Sequence, residues 1–317
     1  MVTLRKIESD LFPALYEQFL IGDDPLSNEQ DWRNVFDYRF ENEEGYCGYA
    51  MLDGNEVIGM LGMVFSRRKI DGKVKKFCNL HTWWVREDHR GRSLALLRPV
   101  LKLGDYTITH FTPCDIVRAI TKRMGFQDLS CQLRILLPAP LARKKPSGAL
   151  SLEFNTSAIE QRLAGDDKKV FLDHLPYDVG HLHITHRGAE CYVLYTHVVR
   201  HRLPYCHIHY VSDMDLYLDV DVSIRAELLR RHKASFIALD ERRMNGVSLP
   251  LSFKFWAPAD SLFKSDDVRP EQIDNLYSDV VFLKLTTLPD MSHEVAQIAR
   301  SWRRPFSAVG KRPGSAV

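Results

Sequence analysis

The spacing of apolar residues changes several times along the chain, and each change marks an element. Residues 2 to 8 alternate as a strand does, and the helical spacing over roughly 10–20 and 29–40 predicts two helices after it. Gly45 to Leu52 and Glu56 to Arg67 read as two strands joined at Asp53-Gly54-Asn55, a hairpin turn sequence because such turns need residues that accept a positive φ. Asp71-Gly72 predicts a second turn, and Lys73 to Arg86 the next antiparallel strand. A helix near Arg92 to Leu103, a short strand Tyr106 to Phe111, a helix Cys114 to Met124 and a strand from Phe126 through Ser130 to Leu137 follow. Gly125, directly after Lys122 and Arg123, is the expected stop of its helix. Pro99 falls inside the Arg92–Leu103 stretch and removes the amide that would bond to Ala95, so that helix should kink or end early.

Pro138 to Gly148 holds three prolines, a glycine and a basic cluster, the composition of a linker. Beyond it the pattern predicts a helix around Thr156 to Ala164 and two long strands, Cys191 to Arg200 and Tyr205 to Ser212. A helix Val222 to His232, a strand Ala234 to Leu239, and late strands near Leu249 to Trp256 and Tyr277 to Leu285 complete it. The second half thus repeats the order of the first, meander then helix then strand, as a weak internal duplication. The domain reading is 1–137, a linker 138–148, a second domain 149–302 and a disordered tail 303–317, the last from its prolines and glycines.

Composition narrows the class. Hydrophobic residues make up 45% and charged residues 26%, values of a globular chain, and its 317 residues suit two domains. Lys plus Arg number 43 against 41 for Asp plus Glu, so no concentrated positive field marks nucleic acid as a partner. Neither a signal-peptide core nor a membrane-length apolar run is present, which predicts a cytoplasmic protein without a membrane partner. Six cysteines lie far apart with no CxxC pair, and reduced thiols are expected.

The segment His81 to Leu97 is the most informative. It reads as a buried strand entering a basic loop and then an apolar-faced helix, with Arg90, Gly91 and Ser93 at the junction. Free amides and a positive macrodipole at such a helix start would bind an anion. Here the first half resembles the acyl-CoA N-acyltransferase superfamily, the GNAT fold. That family's acyl-CoA motif is Arg or Gln, two residues, Gly or Ala, one residue, Gly or Ala, and Arg90-Gly91-Arg92-Ser93-Leu94-Ala95 follows it with Ser93 in place of the middle Gly or Ala. Gly125-Phe126, after the next strand and helix, also fits the family. The fold implied is α/β (α+β): two GNAT-like domains, each a mixed, mainly antiparallel sheet flanked by helices, with the second a degenerate repeat.

The resemblance implies acetyl-CoA or another acyl-CoA as co-substrate and no metal. It implies direct attack by an amine of a small molecule or peptide. Strand His81–Val85 would splay from its parallel neighbour near Tyr106 to Phe111, with pantetheine between them and an oxyanion donor among the amides of Trp83, Trp84 and Val85. Arg90, Gly91, Arg92, Ser93, Leu94 and Ala95 would meet the diphosphate, and the tryptophans would put bulk on both strand faces. His81 and His110, on the two splaying strands, are the candidate bases, with a satisfied core histidine the competing reading for each. The family's usual acid, a tyrosine four residues before the Gly-Phe glycine, is Thr121 here. Two other readings remain: a non-catalytic acyl-CoA sensor or partner-binding module, and an O-acyl or aminoacyl transferase acting on a saccharide.

Other constellations carry less. His181/His183 and His207/His209 each share a strand face, but neither pair has a third ligand at a familiar spacing, and solvent-exposed strand faces are expected. Asp213, Asp215, Asp219 and Asp221 lack the glycine and terminal glutamate of a calcium loop and predict a turn with a helix cap. Cys114 reads as a small buried residue or a neighbour of a helix N-cap. The acidic residues after strand Tyr205–Ser212 would repel a diphosphate, so the second half should have lost coenzyme binding and instead cover the acceptor cleft.

Overall fold

Asp71 and Gly72, at φ 49° and 78°, make the tight turn that sets two long strands side by side. In the computed structural model, which describes residues 2–24, 27–41, 43–139, 148–200, 203–244, 246–256, 261–285 and 288, these strands belong to a four-strand meander. It consists of β1 (Val2–Lys6), β2 (Gly48–Asp53), β3 (Glu56–Ile70) and β4 (Lys73–Val85), with β5 (Tyr106–His110) parallel to β4. Between β1 and β2 lie α1 (Phe12–Leu15), continued by a π-helical turn Tyr16–Leu20, and α2 (Glu29–Phe36). Asn28 caps α2 by accepting from the amides of Gln30 and Asp31, while the Asp31 carboxylate accepts from the Asn28 amide.

The order then recurs. α3 (Leu97–Val100), α4 (Asp115–Lys122), β6 (Gln127–Leu129) and β7 (Gln132–Leu136) end the first half. The second contains β8 (Leu150–Glu153), α5 (Thr156–Arg162), α6 (Gly165–His174), β9 (Gly180–His186), β10 (Ala189–Arg200) and β11 (Leu203–Val211). It continues with α7 (Met214–Asp219), α8 (Asp221–His232), β12 (Phe236–Asp240), β13 (Ser252–Trp256), β14 (Ser261–Lys264) and α9 (Asp279–Phe282). Two seven-stranded mixed sheets result, ordered β1-β2-β3-β4-β5-β14-β6 and β8-β9-β10-β11-β12-β7-β13. This is the α/β architecture of two GNAT-like sheets that the sequence implied.

The two sheets match position for position, including their parallel pair. Cys78 pairs with Ile108 as Cys206 pairs with Ile237, which aligns Phe77-Cys78-Asn79-Leu80-His81 with Tyr205-Cys206-His207-Ile208-His209. The sixth strand of each sheet, however, comes from the other half: β14 lies between β5 and β6, and β7 between β12 and β13. The strand expected over Phe126–Leu137 is therefore two strands in two different sheets, and a boundary at 137 does not follow sheet membership. At the crossing, Cys131 Sγ accepts from the Ser261 amide at 3.0 Å. Two buried bidentate ion pairs fasten the exchange, Arg134 to Glu241 at 2.7 Å and Arg68 to Asp274 at 2.6 Å.

A shared core fills the seam: Trp32 and Phe36 from the first half meet Phe171, Tyr192, Leu194, Tyr277 and Phe282 from the second. Coverage of both sheet faces corrects the reading of the histidine pairs, since His181, His183, His207 and His209 are all buried. Cys114 is likewise corrected: it is the N-cap of α4, and it is exposed. The acidic cluster acts locally, Asp213 capping α7 and Asp221 pairing with Arg225. Tyr277–Leu285 holds the single turn α9, not a strand. Its contiguous Val280-Val281-Phe282 is buried on every side and carries no period to distinguish the two. β8, α6, β9 and β14 have no counterpart in the sequence reading. Most of the linker 138–148 and all of the tail 303–317 lie outside the described residues. Among the described residues no helix is long and apolar enough to cross a membrane.

Candidate functional site

The parallel ladder between β4 and β5 runs from Lys76–Tyr106 to Asn79–Thr109 and stops. β4 continues to Val85 with only β3 beside it, so the two strands diverge into a fork at the place expected. A bulge bends β4 there. Gly62 pairs with His81 and Met60 with Trp84, which leaves Leu61 opposite both Thr82 and Trp83. Thr82 takes φ 46°, a conformation that a β-branched residue adopts only at a cost of about 1 kcal/mol or more. The bulge turns Trp83 toward the outer core and Trp84 toward the seam, where its ring lies 4.1 Å from that of Phe19. Bulk on both faces is thus present. Gly62 is required by close approach, because a Cβ there would lie 2.2 Å from the His81 ring.

The loop after β4 departs from expectation. In place of a helix over Arg92–Leu103, a 3₁₀ stretch runs from Glu87 to Leu96 and only Leu97–Val100 is α-helical. Pro99 supplies a reason: an α-helix begun at Arg92 would lack its bond to Ala95, whereas one begun at Leu97 places Pro99 in the first turn, where no intrahelical amide bond is lost. Arg90 is largely exposed and lies 3.7 Å from Glu87, and Arg92 is exposed. Gly91 faces open space; Ser93 and Ala95 are half-buried and Leu94 exposed. Residues 90–95 therefore form an accessible basic surface at the end of β4, without an α-helical N-terminus behind it.

His81 and His110 come together at the fork, and both are buried, at 1% and 4% exposure. Burial, aided by the nearby His110, pushes the His81 imidazole down to about 3, and burial alone brings His110 to about 4. Both rings are neutral at physiological pH and weak as proton acceptors. His81 Nδ1 lies 3.0 Å from Thr82 Oγ1. The Thr121 hydroxyl donates to the Val117 carbonyl at 2.8 Å, a bond made within its own helix.

A residue absent from the sequence reading also reaches the fork. Asp279, at the start of α9, donates its amide to Asn79 Oδ1 at 3.2 Å, and Asn79 Nδ2 donates to Thr109 Oγ1 at 3.2 Å. Asp279 Oδ2 accepts from Thr112 Oγ1 at 2.8 Å, while Oδ1 is buried without a partner. Burial raises this carboxyl to about 6 against the pull of Thr112 and two backbone amides. Its signal in the sequence is one of three polar positions, with Ser278 and Lys284, in a largely apolar run that reads as a strand.

The second half has the same fork, closed. Its parallel ladder ends at Ile208–Leu239, while β11 continues to Val211. Arg243 donates to the Val211 carbonyl at 3.2 Å, and the cleft that remains between Leu239, Asp240 and Tyr210 measures about 10 Å³, room for one water. Helix α7 starts at once, its first turn already capped by Asp213, whose carboxylate accepts from the Leu216 amide at 2.9 Å. Among the described residues, no three His, Cys, Asp or Glu side chains converge to hold a metal ion.

Both halves also enclose a cavity of about 260 Å³ along the edge of β3, where Ser66 and Arg67 face Lys169, Asp173 and Tyr277. Residues 3–97 match the acetyltransferase (GNAT) family. No curated protein matches the chain in sequence. Among solved structures, a GCN5-related N-acetyltransferase from Anabaena variabilis aligns at TM-score 0.54 and 8% identity, over 83% of this chain and 72% of that one. A conserved Enterococcus faecalis protein described as a probable N-acyltransferase aligns at 0.55 and 9%, with the same coverages. A GCN5-related N-acetyltransferase from Kribbella flavida aligns at 0.51 and 11%, over 83% and 70%. Residues 3–97 of this chain thus carry a GNAT-family domain, set in a two-sheet fold shared with GNAT acetyltransferases.

Proposed function

We propose that the chain transfers an acyl group, acetyl in the simplest case, from coenzyme A to a primary amine of a small molecule or peptide. The observation that carries this reading is the end of the parallel ladder at Asn79–Thr109, which leaves Leu80–Val85 bordered by β3 alone within a GNAT-family domain. A pantetheine arm can bond to that strand edge as a further strand would. Its diphosphate would then reach the exposed surface of Arg90, Gly91, Arg92 and Ser93, and its thioester would lie toward the apex. The acceptor would come from the second-half side, through the seam cavity. Glu41, Glu43, Glu44 and Asp173 outnumber Arg67 and Lys169 around it, a balance suited to a cationic amine.

The test is calorimetric titration with acetyl-CoA of the wild type and of an Arg92→Glu/Ser93→Glu double variant. Binding by the wild type, weakened at least tenfold in the variant, is expected. No binding heat from the wild type overturns the reading. One observation favours a second reading, in which the fold binds acyl-CoA without transferring it: the 3₁₀ stretch Glu87–Leu96 presents fewer free amides to a diphosphate than an α-helical start does. Coenzyme binding without release of free thiol across a broad amine panel supports that reading.

A further inference from the structure

We propose that Asp279, supplied by the second half of the chain, is the proton acceptor of the transfer reaction at the first-half fork. The inference rests on the acyltransfer reading above and assigns the group that reading lacks. Asn79 and Thr109 are the last paired residues of the fork, and their side chains bond to each other. Asp279 is pinned to that apex by its amide on Asn79 Oδ1 and by Thr112 Oγ1 on its Oδ2. Its other oxygen is left without a hydrogen-bond partner in a residue only 2% exposed. A buried carboxylate oxygen in that state costs stability, so its retention calls for a use.

The reaction supplies one. An amine nitrogen attacks the thioester carbonyl, the C–N bond forms, and the C–S bond breaks with its electron pair going to sulfur. The proton shed by nitrogen passes to Asp279 Oδ1 and returns to the departing thiolate, so the products are amide and free thiol. A carboxyl that burial brings to about 6 is charged at neutral pH and still basic enough for this step.

Its neighbours do not compete. Asn79, Thr109, Thr112 and Ser278 do not ionise in this range, His81 on β4 and His110 on β5 are held neutral, and α2, packed against α9, buries only Trp32, Val35 and Phe36. The adjoining loop carries Asp274, whose charge is met by Arg68. Tyr277, two residues before Asp279, lines the seam cavity, so one short segment serves both the cavity and the apex.

The test uses the full chain, acetyl-CoA and an amine panel of spermidine, tyramine, glucosamine and a lysine peptide. Asp279→Asn should bind acetyl-CoA with an unchanged Kd and release thiol at least 100-fold more slowly. The acidic limb near pH 6 in the wild-type rate profile should be absent. Thr112→Val, which removes a hydrogen bond that favours the carboxylate, should remain active with its acidic limb displaced to higher pH. Independently of turnover, a ¹³C-labelled aspartate carboxyl titrating near 6 should vanish in Asp279→Asn and shift when acetyl-CoA is added. Thiol release within threefold of wild type in Asp279→Asn overturns the proposal, as does a carboxyl that titrates as an ordinary aspartate or ignores acetyl-CoA. Failure of the wild type to bind acetyl-CoA overturns the underlying function instead.

Discussion

In the first half the parallel ladder stops at Asn79–Thr109 and β4 runs on through Leu80–Val85; in the second it stops at Ile208–Leu239 and β11 runs on only through His209–Val211. The strands that diverge are equivalent, and each carries a register shift near its end. The filling differs. Arg243 occupies the second fork with a bond to the Val211 carbonyl, and α7 starts directly after the strand with its first turn capped by Asp213. At the first fork a long exposed stretch succeeds the strand, and the apex is met by a carboxyl from the other half. A duplicated architecture thus keeps its backbone geometry through pairing and core contacts, while the chemistry of each copy depends on a few side chains and on the segment that leaves the strand.

The largest expected effect treats both forks alike. His81 at the first and His207 at the second are buried and depressed, to about 3 and about 4, and His110, His174 and His181 stand near 4. A histidine whose folded value lies below its unfolded 6.5 contributes stability that is fully present above 6.5 and lost as pH falls toward the folded value. Urea unfolding at pH 7, 5.5 and 4.5 should show steep loss below 6.5, up to about 2 kcal/mol per histidine by pH 5. Flat stability over that range would mean the rings reach solvent.

Next come the two ion pairs that fasten the exchanged strands. Arg68→Met strands Asp274 as a buried charge and should cost about 4 kcal/mol. Arg134→Met should cost less, about 2 kcal/mol, because Lys254 Nζ remains 3.0 Å from Glu241. Denaturant titration of both variants checks the order, and equal losses would show that the two halves are fastened alike. The smallest effect is Arg243→Ala. Opening the closed fork should lower stability by about 1 kcal/mol and leave acetyl-CoA affinity unchanged by calorimetry. A second equivalent of bound coenzyme in that variant would show that Arg243 alone closes the second copy.

Much of this is legible in the chain. The hairpin turns at Gly54 and Asp71-Gly72, the strand through Trp83-Trp84, and Gly125 at φ 88° all express local backbone rules. The motif Arg90–Ala95 and the Gly125-Phe126 pair carry the family resemblance. The 3₁₀ run after β4 is not legible even with Pro99 in plain view, because the apolar residues Leu94, Leu96 and Leu97 keep a helical spacing that a 3₁₀ run also tolerates. The histidine pairs mislead for a different reason. Alternation reports which residues share a strand face, and it cannot report whether a second sheet covers that face.

The sequence by itself determined the first-half meander, its turns and the Arg90–Ala95 motif that carries the resemblance, because these depend on backbone preferences and spacing within a few residues. Only the tertiary structure decided which half completes each sheet, what fills the second fork, and that Asp279 meets Asn79 and Thr112 across a separation of some 170–200 residues. Those outcomes depend on burial and on pairing between distant segments. The same aspartate on an exposed turn would have an ordinary acidity, and its raised value exists only where the seam removes it from water.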